Sequence, residues 1–498
     1  MKIHADIVLI LTLSLLAHSS NAGETTISTE IRGGMDYSDR AFDDDTGAEG
    51  ESTPLGQEGV PPPESSDPTP PPENSDSAPP SDSGDSQNMM IPDRDDERFR
   101  IVISPTVNIM TKSSSYSAML SYRPDISYDL IESESADVNH ETSAGFSKAL
   151  TENWSFKIHN LFRNTDEYEN HGNGEESPDD AFLEESTSSI SSMNETLRDE
   201  LGRRRYSQNE LNISTGYDYR DNSRLALCFG WEHLGYDEAE TASDTYQDYD
   251  KFNVTLAASH CINDLWTIGG YGQYLRGLYE TDDASNDDLT EYHLGSTIET
   301  RVIPSHPITL GYDVSEANYG DTIDSSTMHR LKLGCQVISS ETLEVRLGAG
   351  PTYTEISNSE DSWAANGNLN VRYTIGRGAV SLTSDIGTRF DNFSGTDERG
   401  LTDYWRSRAE YAFTVNGAWQ TSLYAGHSNE TRDEIDLGAE TDVERISTGG
   451  SLEFRISDSC NAGLNYDYSD QNSNRSEDSY NEHTVRLMMS WQPDLFSW

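Results

Sequence analysis

The segment SSYSAMLSYRPDISYDL, residues 114–130, alternates between two kinds of side chain. Its even positions are apolar or aromatic: Tyr116, Ala118, Leu120, Tyr122, Pro124, Ile126 and Tyr128. Its odd positions are mostly polar: Ser117, Met119, Ser121, Arg123, Asp125 and Ser127. A period of two places successive side chains on opposite faces of a β-strand. The apolar face of this strand must therefore meet either a protein core or lipid.

Alternating segments of about ten residues recur from residue 99 to the end of the chain, which is the length a tilted membrane-spanning strand needs. They are joined by two kinds of connection in strict succession. One kind is short, such as TEN at Thr151 and DNS at Asp221. The other kind is long and acidic, as near Asp237, Glu280 and Ser428. Short turns at one end and long polar loops at the other are typical of up-and-down outer-membrane barrels.

The alternation predicts roughly 19 strands after residue 98, whereas bacterial single-chain barrels normally have an even number. Residues 27–37 alternate in the same way and supply one further strand. The predicted fold is therefore all-β, a transmembrane antiparallel up-and-down β-barrel of about 20 strands, with 18 to 20 as the range.

The regions that precede the barrel have different compositions. Residues 1–22 carry a basic start, an apolar run and small residues at the end, which indicates a secretory signal peptide. Residues 23–38 contain the probable first strand, residues 39–98 form an acidic Pro/Ser-rich segment predicted to be disordered, and residues 99–498 form the barrel. The net charge of −54 over 498 residues arises mainly in the acidic segment and the loops.

The apolar faces carry aromatic residues near strand ends and aliphatic residues between them. The tryptophans expected to face outward are Trp154, Trp231, Trp266, Trp363, Trp405, Trp419 and Trp491. Such aromatic bands mark the two interfaces of a membrane. A soluble sandwich or a propeller is the alternative, but a propeller blade has four strands per repeat and the repeat here holds two. We therefore expect the apolar face to meet lipid.

Two stretches carry a family resemblance: RFRIVISPTVNIMTKSSSYSAMLSYRPDISYDL and NHETSAGFSKALTENWSFKIHNLFRNTDEY. With the Tyr122–Pro124 step and His140 ahead of a W-S-F strand, they resemble the β-barrel porin 2 type of bacterial outer-membrane protein, including members associated with exosortase systems. The resemblance implies a porin-like barrel. One departure is the sequence QPDLFSW after Trp491, because typical barrels end on the last aromatic residue of the final strand.

The polar face of each strand would line the lumen. The candidate lumen-lining residues are Lys157, Arg301, Arg330, Arg346, Arg372, Arg389, Arg406, Arg408, Glu344, Asp385 and Glu410. A wall of this kind either surrounds a water-filled pore or forms a salt-bridged network that fills it, and both alternatives stay open.

The longest barrel loop, about residues 165–205, is the candidate constriction. Four apolar residues recur there at helical spacing, and Arg203, Arg204 and Arg205 follow. The loop either folds into the lumen or forms an external helix, and we favour the external helix.

No linear motif of an enzyme is present, so no catalytic activity is predicted. No cofactor is expected, apart from Ca²⁺ held loosely by the acidic loops. Cys228 and Cys261 are expected to point inward on adjacent strands, where a disulfide is an option. The expected partners are outer-membrane lipid, the barrel assembly machinery and components of an export system, with no nucleic acid.

The sequence thus predicts a bacterial outer-membrane channel for ions, small solutes or an exported polymer. The alternative is a plugged structural or adhesive barrel whose acidic loops bind divalent cations or envelope glycans.

Overall fold

The computed structural model describes the strands of the chain and most of the tight turns between them. The described residues are 24–42, 96–131, 136–165, 205–236, 248–280, 289–303, 306–320, 325–340, 342–357, 361–393, 400–434, 440–475, 479–493 and 496–497. The predicted signal peptide, most of the acidic segment and the predicted Ca²⁺-binding loops lie outside them. No helix long and apolar enough to cross a membrane occurs within these ranges.

All regular elements of the described chain are β-strands. The first ten are β1 (Glu24–Phe42), β2 (Asp96–Lys112), β3 (Tyr116–Asp129), β4 (Ala136–Thr151), β5 (Trp154–Thr165), β6 (Tyr206–Arg220), β7 (Ser223–Tyr236), β8 (Asp248–Asn263), β9 (Trp266–Glu280) and β10 (Leu289–Thr300). The others are β11 (Ile308–Tyr319), β12 (Ser326–Ser340), β13 (Leu343–Ile356), β14 (Ser362–Ile375), β15 (Gly378–Asp391), β16 (Gly400–Thr414), β17 (Trp419–Glu434), β18 (Glu440–Ser457), β19 (Cys460–Ser473), β20 (Tyr480–Trp491) and β21 (Phe496–Ser497).

Each strand from β1 to β20 pairs antiparallel with its neighbours in the chain, and β1 also pairs with β20. The closing register runs from Ile31 opposite Trp491 to Phe42 opposite Tyr480. The prediction of a closed, all-β, up-and-down barrel of about 20 strands is confirmed. The strand suggested by the alternation of residues 27–37 is β1, and without it the barrel has no closing partner for β20.

The two-residue strand β21 completes this closing seam. β20 ends opposite Ile31, so the earlier residues of β1 extend beyond it. Phe496 and Ser497 return to the same edge and pair with Ile27 and Thr26. The sequence after Trp491 is therefore a second, short contribution to the seam, and it protects part of an edge that would otherwise be open.

Two of the short turns show why the chain reverses so tightly at one end of the barrel. Asn222, between β6 and β7, has a φ of 56°, and Gly376, between β14 and β15, has a φ of 57°. Two-residue hairpin turns require positive φ, which glycine and asparagine adopt most readily. These residues fix the register of their hairpins and hence which side chains face inward.

The outer face of the barrel is apolar and exposed. Large aliphatic side chains near the middle of their strands are open to solvent in the isolated chain, including Leu294, Leu333 and Leu423, each more than half exposed. Toward the short-turn end the outer face carries Trp154, Trp266, Trp419 and Trp491, and toward the long-loop end it carries Trp231, Trp363 and Trp405. An apolar belt between two aromatic bands is the surface that a lipid bilayer covers.

Candidate functional site in the barrel lumen

The inner face of the barrel is mostly polar and charged, and a buried apolar cluster on the inner side of β6–β11 includes Leu234, Leu275 and Leu289. At the seam, Asp36 in β1 lies opposite Arg100 in β2 and Arg486 in β20. Arg100 donates a hydrogen bond to Asp36 at 2.9 Å. Alternation carries this face around all twenty strands, where the buried charged side chains include Glu30, Arg40, Glu232, Lys251, Glu291, Glu430 and Arg432. Because charges away from bulk water need partners, the inner wall is organised by ion pairs.

The register places ten of the eleven predicted lumen residues on this inner face. They are Lys157, Arg330, Arg346, Arg372, Arg389, Arg406, Arg408, Glu344, Asp385 and Glu410. The eleventh, Arg301, follows the end of β10 and forms an ion pair with Glu299 at 2.6 Å. These residues do not form one cluster. Arg346 and Arg372 lie toward the short turns, whereas Arg389 and Arg406 lie toward the long loops.

An arginine cluster surrounds Glu430 on β15–β17. Arg406 donates to Glu430 through Nε at 3.0 Å and through Nη2 at 2.5 Å. Arg389 lies 3.4 Å and Arg432 lies 3.6 Å from the other carboxylate oxygen. Arg389 also pairs with Asp391 at 3.1 Å. Three guanidinium groups thus contact Glu430, and with Asp391 included the described cluster holds three positive and two negative groups.

Tyrosines and arginines continue the same wall toward the middle of the barrel. The Tyr404 hydroxyl donates to Asp385 at 2.8 Å, and the guanidinium carbons of Arg389 and Arg406 lie 5.1 Å and 5.5 Å from the Tyr404 ring centre. Arg408 lies 3.9 Å from the ring centre of Tyr424. Cation–π contacts hold these arginines against the wall while leaving their charge in the lumen.

The facing wall, built from β6–β10, carries an excess of carboxylates. Glu210 and Glu232 are directly opposite each other across β6 and β7. Lys251 lies 3.6 Å from Glu232, and Gln208 donates to Glu232 at 2.8 Å. Glu291 on β10 is also buried. The lumen therefore has an arginine-rich side and an acidic side at the same end of the barrel.

The two sides meet where the chain leaves β15. Asn392 is 2% exposed although it follows the strand end. Its Nδ2 donates to Glu291 at 2.7 Å, and its Oδ1 accepts from the Tyr319 hydroxyl at 2.7 Å. Its backbone carbonyl accepts a further hydrogen bond from the Tyr279 hydroxyl. These partners lie on β9–β11, so the end of β15 reaches over to a different part of the wall.

Phe393 makes the apolar half of the same contact. Its ring packs edge-on against Tyr249, with centroids 5.5 Å apart, and parallel to Tyr279 at 5.9 Å. The Lys251 ammonium lies 4.5 Å from its centre. A Cβ on Gly277 would lie only 2.6 Å from Phe393 Cε1, so the missing side chain makes room for the ring. We call the receiving surface the tyrosine pocket: Tyr249, Lys251, Gly277, Tyr279, Glu291 and Tyr319.

The contact between the Asn392–Phe393 pair and the tyrosine pocket narrows the lumen at the long-loop end. The sequence pattern does not predict this contact, because DNFSGTDERG at Asp391 has the composition of the other long acidic connections. The one local signal was a phenylalanine placed directly after a strand in an otherwise polar connection. The partner residues lie at least 73 positions earlier in the chain, so no local pattern could identify them.

The predicted constriction at Arg203, Arg204 and Arg205 can be followed only at Arg205, since the other two lie outside the described residues. Arg205 donates to Asp137 at 2.8 Å, to the Val138 carbonyl at 2.6 Å and to Asn164 at 3.0 Å. It therefore connects the start of β6 to the start of β4 and the end of β5. A role in constriction stays a prediction for the loop that precedes it.

The suggested disulfide does not form. Cys228 on β7 lies opposite Thr255 on β8, six residues from Cys261, and none of the four cysteines of the described residues forms a disulfide. Six strand residues span about 20 Å, far beyond the reach of a disulfide. Both side chains do point inward, but at different depths of the barrel.

Comparison with known proteins gives matches of structure only. No family model matches the chain, and no curated protein matches it. It is similar to the FrpB iron transporter from Neisseria meningitidis, with 10% identity, a TM-score of 0.48, and coverage of 97% of this chain and 83% of that one. It is also similar to a BenF-like porin from Pseudomonas fluorescens, with 10% identity, a TM-score of 0.42, and coverage of 95% and 99%. A siderophore receptor, PirA from Pseudomonas aeruginosa, matches with 9% identity, a TM-score of 0.44, and coverage of 93% and 80%.

Proposed function

We propose that this chain is a bacterial outer-membrane channel that passes ions and small solutes through its lumen. The observation that carries the proposal is the opposite character of the two faces of one closed barrel. The outer face is apolar with aromatic bands at both ends, while the inner face is lined by charged side chains. Lipid outside and water inside is the arrangement that this pattern suits.

The path through the lumen runs between the arginine cluster at Glu430 and the acidic wall at Glu210 and Glu232. Fixed charges of both signs at one depth stabilise a charged or dipolar solute in one orientation. Because the Asn392–Phe393 pair narrows this region, small solutes fit the geometry better than an exported polymer does. Delivery by the signal peptide and folding by the barrel assembly machinery belong to the same proposal.

Single-channel conductance of the purified full-length protein in a planar bilayer tests the proposal. Discrete steps of constant size support a channel, and the reversal potential under a salt gradient then reports which wall controls selectivity. The variant Asn392→Ala/Phe393→Ala is measured in parallel. Conductance of both proteins indicates a narrow channel, and conductance of the variant alone indicates a barrel that the pair closes. Silence of both proteins after demonstrated insertion would contradict the channel.

A second candidate function is a structural surface barrel that its own side chains close. The contact of Asn392 and Phe393 with the tyrosine pocket favours it, because that contact joins two sides of the lumen through buried hydrogen bonds. The same bilayer experiment distinguishes the two candidates. A barrel that this contact closes is silent as the wild type and conducts only as the double variant, whereas a channel conducts in both forms. In the closed barrel the acidic loops would be the part that binds cations or glycans.

A further inference from the structure

The tyrosine pocket has the properties of a binding site. It offers aromatic faces from Tyr249 and Tyr279, hydroxyl donors from Tyr279 and Tyr319, and one carboxylate from Glu291. All of these groups come from β8–β11, whose cross-strand register holds them in place. The pocket is thus a rigid part of the barrel wall, whereas the pair that fills it belongs to a connection.

The chemistry of the present occupant defines what the pocket recognises. The backbone carbonyl of Asn392 accepts a hydrogen bond from the Tyr279 hydroxyl. The Asn392 carboxamide donates to Glu291 and accepts from the Tyr319 hydroxyl. The Phe393 ring packs against the rings of Tyr249 and Tyr279. A short peptide with an amide side chain beside an aromatic one carries the same groups.

Glu291 is the hydrogen-bond acceptor of the pocket. Its Oε1 accepts from Asn392 Nδ2 and its Oε2 contacts His293 Nε2 at 2.8 Å, and the side chain is buried. Removing Asn392 would leave one carboxylate oxygen without that donor, so water from the lumen or an incoming ligand has to replace the hydrogen bond. An incoming N–H donor, amide or ammonium, restores the bond.

We propose that the tyrosine pocket is a binding site for short peptides containing an aromatic residue, and that the Asn392–Phe393 pair occupies it in their absence. The proposal rests on the channel function only in placing the pocket on the solute path. Binding itself requires the barrel and not conduction. A peptide that displaces the pair would also widen the lumen at its narrow end.

The test uses N-acetyl-asparaginyl-phenylalaninamide, which reproduces the internal pair, with N-acetyl-alanyl-alaninamide as the control peptide. Equilibrium dialysis against the detergent-solubilised full chain measures binding to the wild type and to Asn392→Ala/Phe393→Ala. A tethered occupant acts at an effective concentration in the millimolar range. Removing it should therefore tighten binding of the aromatic peptide on the order of tenfold or more.

A third variant adds Gly277→Val to the double variant. A side chain at position 277 fills the space of the Phe393 ring, so this protein should lose binding of the aromatic peptide. Resistance of the folded barrel to denaturation by SDS at room temperature confirms that each variant is folded.

Three results would overturn the proposal: no binding to the double variant, equal binding of both peptides, or equal binding with valine at position 277. Since dialysis in detergent involves no conduction, a silent bilayer together with specific peptide binding would reject the channel while keeping the site.

Discussion

Phe393, just after β15, and Gly277 on β9 fit together inside the barrel although β9 and β15 are not neighbouring strands. The Phe393 ring occupies the space that a side chain at position 277 would need. Gly277 lies on the inner face of β9, and Phe393 follows β15. The fit explains how an acidic surface connection can place an aromatic ring in a charged lumen. It also identifies the point at which the width of the lumen can be changed by single substitutions.

Replacing Phe393 with alanine should raise the single-channel conductance. The substitution removes the ring that narrows the lumen and leaves the arginine cluster unchanged. Loss of a buried phenylalanine costs about 3–5 kcal/mol in a packed core. Here the substitution destabilises the contact of the Asn392–Phe393 pair with the tyrosine pocket. Phe413→Ala, at an outer-face position near a short turn, is the control and should leave conductance unchanged. Equal conductance of Phe393→Ala and wild type would show that the ring does not limit the path.

Replacing Glu430 with glutamine should shift ion selectivity toward anions. Arg389, Arg406 and Arg432 would lose the carboxylate that they share, so the lumen gains one net positive charge. Removing one partner of a buried ion pair costs about 3–5 kcal/mol, so the denaturant concentration at the midpoint of unfolding should fall. The measurement is the reversal potential under a salt gradient. Glu444→Gln on the outer face removes the same charge outside the lumen and should leave the reversal potential unchanged.

The sequence contained the information for the barrel itself but not for its narrow point. A period of two decides which face each residue joins, so Arg389 and Arg406 could be assigned to the lumen from local pattern alone. The DNS segment at Asp221, which contains Asn222, marked one of the tight turns. The contact of Asn392 with Glu291 depends on how the closed barrel brings remote strands together, and closure is a property of the whole chain. The same holds for the pairing of Phe496 with Ile27.

A lysine on the outer face should destabilise the barrel far more than a lysine on the inner face. Leu333 is 56% exposed on the outer face of β12, and the neighbouring Lys332 already points into the lumen. Leu333→Lys should cost about 2–4 kcal/mol, as lysine does near the midplane of a bilayer. Gln336→Lys, an inner-face position of β12 where Gln336 donates to Glu344 at 3.0 Å, is the matched control. Unfolding by urea in lipid vesicles measures both, and equal costs would contradict the assignment of the outer face to lipid.

Deleting the last five residues, 494–498, should slow barrel closure and lower the folded fraction. Phe496 and Ser497 then no longer pair with Ile27 and Thr26, and each backbone hydrogen bond contributes about 0.5–1.5 kcal/mol. An open edge on β1 also becomes available to other chains. The folded fraction is read from the heat-dependent shift of the band in SDS gels after refolding into detergent. The pairing of β20 with β1 is untouched by the deletion, so the folded protein should keep its conductance. A deletion variant that folds as fast and as completely as the wild type would show that β20 alone closes the seam.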